Sequence, residues 1–333
     1  MPRELRWNPV LKEWVGVATH RQDRTFLPPA ELCPLCPTRN PDAPTEIPSA
    51  DFDVAVFQNR FSAFAEEGAP FATAGETLGR TVPARGVCEV VVYTPEHQGS
   101  LGGQRVEQIR KVVEVWADRY AVLGALPHIR YVFIFENRGE AMGVTLHHPH
   151  GQIYALPYVP PLATRELRSA REHYRKTSRC LFCDILEREL SSGQRLVLVN
   201  ETWAGFVPFY ARWPYEVHLY PRRHAASLVE LEEAERWGLA HALKTLLTKY
   251  DSLYGFPWPY VMAVHQRPTD SAYYPHYHLH IEFYPPHRTR EKLKYLAGVE
   301  LGTGTFLNDT RPEEKAEELR NAAPKGTGDE QQA

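Results

Sequence analysis

The order of features in the first half of the chain returns in the second half, and this repetition constrains the fold more than any single motif. An apolar run with an asparagine and aromatics, "VAVFQNRFSAF" at 54–64, is matched by "LVLVNETWAGF" at 196–206. "CEVVVYTPEH" at 88–97, a strand-like run that reaches a proline and then a histidine, is matched by "YEVHLYPRRH" at 215–224. Apolar residues at helical spacing follow in both halves, at 104–123 and 228–253, and then a further strand run at 128–137 and 257–265. Each series closes on a histidine-rich strand, "HHPHGQIYAL" or "HYHLHIEFY", and a Cys-x-x-Cys pair precedes each series. A period of about 130 residues is too long for a solenoid and suits two fused copies of one domain. Strand runs with one helix per copy predict an α+β protein, mainly antiparallel, with helices packed on the sheet. The expected division is 1–165 and 166–321, joined where "PYVPPLATRELRSAREHYRK" runs from a proline-rich loop into a helix, with 322–333 a disordered tail.

With 333 residues, 43% of them hydrophobic, the chain can bury a full core, and its formal net charge of -3 carries no basic excess for nucleic acid. No apolar run approaches the roughly 18–20 residues of a membrane span. "MPRELRWNPV" does not read as a secretory leader, so a cytoplasmic protein is expected. Glycine-rich phosphate loops and dinucleotide fingerprints are absent.

Four of the five cysteines form the two pairs, Cys33 with Cys36 and Cys180 with Cys183, while Cys88 lies in an apolar strand and reads as a small buried residue. In a reducing compartment such pairs are metal or redox sites, or else simply reduced turns. Prolines around "ELCPLCPTRNP" favour a rigid metal knuckle; "RCLFCDILE" is more apolar and compatible with a helix. Zinc takes four tetrahedral Cys and His ligands. The repeat offers Cys33, Cys36, His97 and one histidine of "HHPHGQ", then Cys180, Cys183, His224 and one histidine of "HYHLH". Aligning the motifs pairs His148 with His278 and His150 with His280. Both sites would be closed and structural.

Residues two apart on a strand share a face, so His148, His150 and Gln152 project together and His147 points away as a bystander. A neutral imidazole attacks an electrophilic phosphorus through one ring nitrogen while the other holds the proton against a carbonyl, giving a phosphoramidate. At Gln152 a carboxylate would repel phosphate. A neutral amide steadies the non-bridging oxygens without favouring hydrolysis, which points to group transfer.

"FENRGEAMGVTLHHPHGQIYALP" closely resembles the active-site segment of the galactose-1-phosphate uridylyltransferases, within the histidine-triad superfamily. The resemblance extends through "WVGVATHRQDR", "YTPEH", "WPYEVHLYPRRH", "HYHLHIEFYPP" and "GTGTFLNDTRPEEKAEELR". It implies two fused histidine-triad-like halves and a ping-pong reaction of the Leloir pathway. UDP-glucose would give its uridylyl group to His150, releasing glucose 1-phosphate, and galactose 1-phosphate would take that group as UDP-galactose. By position, Gln152 is the phosphate-binding amide and His148 a zinc ligand. Arg21 and Arg24 match a basic pair, and Asn59, Asn137, Gly143 and Thr145 match nucleotide-contacting positions, although either asparagine could simply cap a turn. Lys294 and Glu300 match the hexose-phosphate end. The family also implies a homodimer with shared sites.

Three departures follow from the same comparison. Glu166, His265 and His280 match a second, iron-type metal site whose last ligand is Glu282 here. The extra cysteine pair instead favours a second zinc at Cys180, Cys183, His224 and His278. Arg60 replaces the usual aspartate after Asn59. A glutamine beyond Glu300 is lost near "TFLND", and the similarity extends to plant ADP-glucose phosphorylases, which keeps a phosphate acceptor open as an alternative. A non-enzymatic, zinc-stabilised nucleotide-binding protein is the third reading, against which the intact "HPHGQ" stands. Glu282 in place of glutamine marks the second half as structural.

Overall fold

The repeated apolar runs form one nine-stranded antiparallel sheet in the computed structural model of the chain, which describes residues 3–67 and 78–323. The first half supplies β1 (Glu4–Asn8), β2 (Glu13–Val17), β3 (Ala55–Gln58), β4 (Thr81–Pro83), β5 (Val87–Val92), α1 (Val106–Gly124), β6 (Tyr131–Arg138) and β7 (His150–Leu156). After it comes α2 (Pro161–Thr177), a continuous helix that spans the expected division at 165/166. The second half then supplies α3 (Leu181–Ser192), β8 (Leu196–Val199), β9 (Trp203–Phe206), β10 (Val217–Pro221), α4 (Glu233–Tyr254), β11 (Tyr260–His265), β12 (His280–Tyr284), α5 (Gly298–Thr303) and α6 (Pro312–Asn321). Strand order is β3-β5-β7-β6-β11-β12-β10-β9-β8, and β2-β1-β4 make a small separate sheet. The α+β class with antiparallel pairing is the one the sequence pattern predicts.

The two halves meet at β6 and β11, and their pairing is self-complementary. Ile134 lies opposite Val264, and Phe135 opposite Ala263. Aligning Tyr131 with Tyr260 makes Ala263 the counterpart of Ile134 and Val264 that of Phe135. Exchanging the halves therefore reproduces the same two pairs. This is the isologous contact of a two-fold dimer, contained within one chain.

Helices α1 and α4 cover one face of the sheet. Ile109, Val112, Val113, Trp116, Tyr120 and Leu123 are buried along α1 at steps of one to four residues, and Leu239, Leu243, Leu246, Leu247 and Tyr250 are buried along α4. They pack with Val87 and Val91 of β5, Val132 and Ile134 of β6, and Ile153 and Ala155 of β7. Side chains alternate along a strand, so His150, Gln152 and Tyr154 of β7 leave the opposite face. The histidine motif is thus placed on the side away from α1 and α4.

The second half is more helical than the repeat alone implies. Besides α4 it contains most of α2, the helix expected after the proline-rich join, and α3, where "RCLFCDILE" is compatible with a helix. Cys183 lies in the first turn of α3. The run at 196–206 splits into β8 and β9 because Asn200 turns the chain, its Oδ1 accepting from the Thr202 and Trp203 amides at 3.0 and 2.7 Å. The expected tail lies outside the described residues from 324 onward. Among the described residues no helix is long and apolar enough to cross a membrane.

Candidate active site and metal centres

The first cysteine pair follows a 3₁₀ turn at Ala30–Leu32, and the ligand-capable atoms of Cys33, Cys36, His97 and His148 all lie within 4.8 Å of one another. Nδ1 of His97 and of His148 approaches Cys36 Sγ at 3.4 and 3.5 Å. His148 Nε2 is 2.8 Å from the Thr94 carbonyl. A carbonyl only accepts, so Nε2 carries the proton and Nδ1 turns its lone pair toward the sulfurs. The second half repeats the arrangement with Cys180, Cys183, His224 and His278. There Nδ1 of His224 and of His278 lies 3.4 and 3.3 Å from Cys183 Sγ, and His278 Nε2 donates to the Pro221 carbonyl at 3.0 Å. The imidazole pairs cross at 87° and 89°. Burial pushes the Cys33 thiol up to about 11, so without a cation that thiol keeps its proton. Two sulfurs and two imidazoles in each set fit a four-coordinate metal ion.

His150 takes the opposite tautomer from its neighbour. Its Nδ1 lies 2.7 Å from the His148 carbonyl, so Nδ1 holds the proton and Nε2 presents a lone pair. Burial lowers its pKa, with that hydrogen bond acting against the shift, and the ring is neutral at neutral pH. One imidazole of the motif thus faces the thiols while the next is free to attack. His147 is about half exposed, 3.5 Å from Glu140.

His150 and Gln152 open on a cleft that also takes in Arg21, Arg24, Asn59 and Thr145, with an apolar wall from Leu35, Phe57 and Val90. A run of hydrogen bonds orients the glutamine. The Phe61 amide donates to Asn59 Oδ1 at 2.9 Å, so Asn59 turns Nδ2 toward Gln152 Oε1 at 3.2 Å. Gln152 Nε2 remains as a donor for the cleft. Arg21 Nη1 donates to the Phe61 carbonyl at 2.8 Å and the Tyr154 hydroxyl at 3.4 Å, and Arg24 Nε to the Arg21 carbonyl at 3.1 Å. A neutral imidazole, an amide donor and two guanidiniums in one cleft suit a phosphorus centre with negative oxygens.

The remaining sequence candidates fall elsewhere. Asn137 lines a second cleft that also reaches His150. Gly143 closes a turn at φ 73°, a conformation that favours glycine, and lines neither cleft. Lys294 and Glu300 also line neither; their buried side chains pair with each other at 3.1 Å, and Lys294 donates to the Leu307 carbonyl. Sequence reasoning missed Tyr154, which the strand period places beside Gln152, and Glu46, which only the fold brings to the cleft.

In the second half His280 repeats the His150 arrangement, Nδ1 against the His278 carbonyl at 2.9 Å. There the ring is covered. Phe182 of α3 and His265 stack on the ring with centroids 4.9 and 4.8 Å away, and His280 is 1% exposed. Glu166, His265 and His280 do form a cluster within 4.8 Å, separate from the Cys/His set. The two sets read from sequence as alternatives for one site are both assembled. Glu282 borders this cluster, 3.8 Å from His265 Nε2 and 3.5 Å from His280 Nε2, but groups more tightly with Glu216 and His218 and pairs with Arg212 at 3.2 Å. Burial opposes charge on His265, but the Glu166 and Glu282 carboxylates raise it to about 9, so a proton can neutralise this cluster.

A buried carboxyl backs the histidine strand from the helix side. A Cβ at Gly151 would overlap the Tyr93 hydroxyl, so glycine there lets the phenol lie against β7. Tyr260 donates to Glu136 Oε1 at 2.9 Å. Burial raises Glu136 to about 7, against the pull of the Tyr260 hydrogen bond and the Arg138 charge. Its folded value exceeds its unfolded one, so the native state binds more protons between them; stability falls as pH rises through that window, by about 3 kcal/mol in full. Relative to the parent, Glu136→Gln is expected to gain roughly 2–3 kcal/mol between pH 5 and pH 8, read from urea midpoints at both. The same relative stability at both pH values would show that this carboxyl does not titrate in the window.

Two family models match the chain: galactose-1-phosphate uridyl transferase, N-terminal domain, over residues 1–160, and its C-terminal domain over 166–329. The chain is 41% identical over 318 residues to galactose-1-phosphate uridylyltransferase of Thermotoga maritima, covering 95% of this chain and 98% of the relative. It is 36% identical over 336 residues to the rat (Rattus norvegicus) protein of that name, covering 96% and 87%. A solved uridylyltransferase structure superposes with TM-score 0.84 at 39% identity, covering 96% of this chain and 98% of that one. An Arabidopsis thaliana ADP-glucose phosphorylase shares the fold, with TM-score 0.74 at 22% identity over 97% and 99%.

Proposed function

The chain belongs to the galactose-1-phosphate uridylyltransferase family, and from that membership we propose that it carries the uridylyl group of UDP-glucose to galactose 1-phosphate on His150. His150 Nε2 attacks the α-phosphorus, the bond from that phosphorus to the bridging oxygen breaks, and glucose 1-phosphate leaves with the electron pair. A phosphate oxygen of galactose 1-phosphate then attacks the same phosphorus, and the N–P bond breaks to restore the imidazole. The observation that carries this reading is the pairing of a Nδ1-protonated His150 with the Gln152 amide, whose Nε2 is left free to donate. The His148 carbonyl stabilises the charge that His150 acquires, Gln152 and Arg21 hold the non-bridging oxygens, and the residue two along the strand from His150 is a neutral amide rather than a carboxylate that could activate water. Labelled glucose 1-phosphate should exchange into UDP-glucose with no second substrate present. Exchange that requires galactose 1-phosphate would exclude the two-step route, and faster discharge by inorganic phosphate would identify a phosphorylase.

Zinc is the metal that suits both Cys/His sets, since two thiolates and two imidazoles fill a tetrahedron and leave no open position. Bound at Cys33, Cys36, His97 and His148, it would supply rigidity rather than reactivity, fixing the residue whose carbonyl orients His150. Five unpaired thiols accord with a cytoplasmic setting. The hexose end belongs to the partner of a homodimer: Lys294 and Glu300 line neither cleft around His150, and the exposed Tyr295, Leu296, Val299 and Leu301 surround them. Mixing His150→Ala with Lys294→Ala chains should restore activity toward one quarter of the parent level, as random dimers leave one intact site in half the molecules. Subunit exchange without recovery would place the whole site in one chain.

A further inference from the structure

A cleft built for a diphosphate has little use for a carboxylate, yet Glu46 lines it. Among the described residues of that cleft it is the one acid, set against the guanidiniums of Arg21, Arg24 and Arg60. The knuckle loop delivers it. The Thr45 hydroxyl donates to the Cys36 carbonyl at 2.6 Å and the Glu46 amide to the Pro34 carbonyl at 3.0 Å, which folds the chain back onto the cysteine pair. Arg60 Nη1 lies 3.6 Å from Glu46 Oε1, with the two side chains 74% and 32% exposed. An exposed pair at that distance contributes little stability. It directs the carboxylate without consuming it.

The cleft divides by chemistry. His150, Gln152, Asn59 and Arg21 mark the place of the phosphorus, while Leu35, Phe57 and Phe61 provide apolar surface for a planar base. The Arg60 guanidinium lies 5.8 Å from the Phe61 ring centroid, which puts the Glu46–Arg60 pair at the nucleoside end. A carboxylate accepts only, so whatever it binds must donate. On a uridine diphosphate the donors are the ribose 2′ and 3′ hydroxyls and the base N3–H. The vicinal hydroxyls match the two oxygens of a carboxylate, the device by which an acidic side chain reads ribose in dinucleotide sites.

We infer that Glu46, positioned by Arg60, receives the ribose hydroxyls and sets the preference for a ribonucleotide donor. The inference rests on the uridylyl-transfer reading, but its test is equilibrium binding, which needs no transfer, so the two can fail separately. Dissociation constants would be measured for UDP, 2′,3′-dideoxy-UDP and 3-methyl-UDP with the parent, Glu46→Ala and Arg60→Ala proteins. The parent should prefer UDP over the dideoxy form by about tenfold, the worth of a charge-assisted hydrogen bond. Glu46→Ala should shrink that preference to about twofold while binding the dideoxy form as the parent does, and Arg60→Ala should shrink it partway. An unchanged preference in Glu46→Ala, or an equal loss for both nucleotides, would overturn the inference. So would a collapse of discrimination against 3-methyl-UDP instead, which would give Glu46 to the base.

Discussion

Replacing His150 with alanine is expected to lower the rate of uridylyl transfer by on the order of 10⁴-fold or more, the scale seen when a covalent nucleophile is removed. Nothing nearby can take its place. The Gln152 amide is not nucleophilic, His148 turns its free nitrogen toward Cys36, and His280 is buried beneath Phe182 and His265. The side chain lies at the cleft surface and adds little to the core, so the melting temperature should stay within a few degrees of the parent. Steady-state turnover and a thermal scan on the same preparation separate the two effects. A loss of less than about tenfold would mean that attack on phosphorus occurs from another group.

Removing metal from the first knuckle is expected to have the next largest effect. In Cys36→Ser the sulfur approached by both His97 and His148 is gone, and the oxygen that replaces it is a poor ligand. Structural zinc contributes folding free energy directly, so a drop of about 10 °C or more in melting temperature is expected, with activity below about one tenth. Activity falls with stability here because His148 links the centres: its ring faces the thiols and its backbone carbonyl holds the Nδ1 proton of His150. Cys183→Ser should also cost stability and one equivalent of bound metal, yet spare more of the activity, because its histidines orient only the buried His280. Metal content by atomic emission, two equivalents in the parent and one in each variant, accompanies the scans. A parent that melts unchanged after chelation would contradict a structural role for the metal.

What the sequence made legible is what local spacing controls. Strand alternation placed His150 and Gln152 on one face of β7, with His148 in the bend just before it, and the repeat paired two ligand sets that the fold assembles with matching geometry. The same alternation extends to Tyr154, one step beyond Gln152 and holding Arg21. What stayed hidden depends on neighbours across strands. Phe182 seals the second-half histidine only because α3 packs over β12, and Glu282 meets His218 only because β10 pairs with β12. Those contacts span about 64 to 98 residues of chain, a separation at which no periodicity speaks. Glu46 reaches the cleft through the fold of the knuckle loop, and Asn59 and Asn137, equivalent as sequence candidates, divide between two clefts on either side of His150.

The most direct test of the account is the intact mass of the purified protein after mixing with UDP-glucose alone. The parent should gain the mass of one uridylyl group and lose it again on addition of galactose 1-phosphate, and His150→Ala should gain nothing. No gain in the parent, or a gain that persists in His150→Ala, would contradict the assignment of the nucleophile.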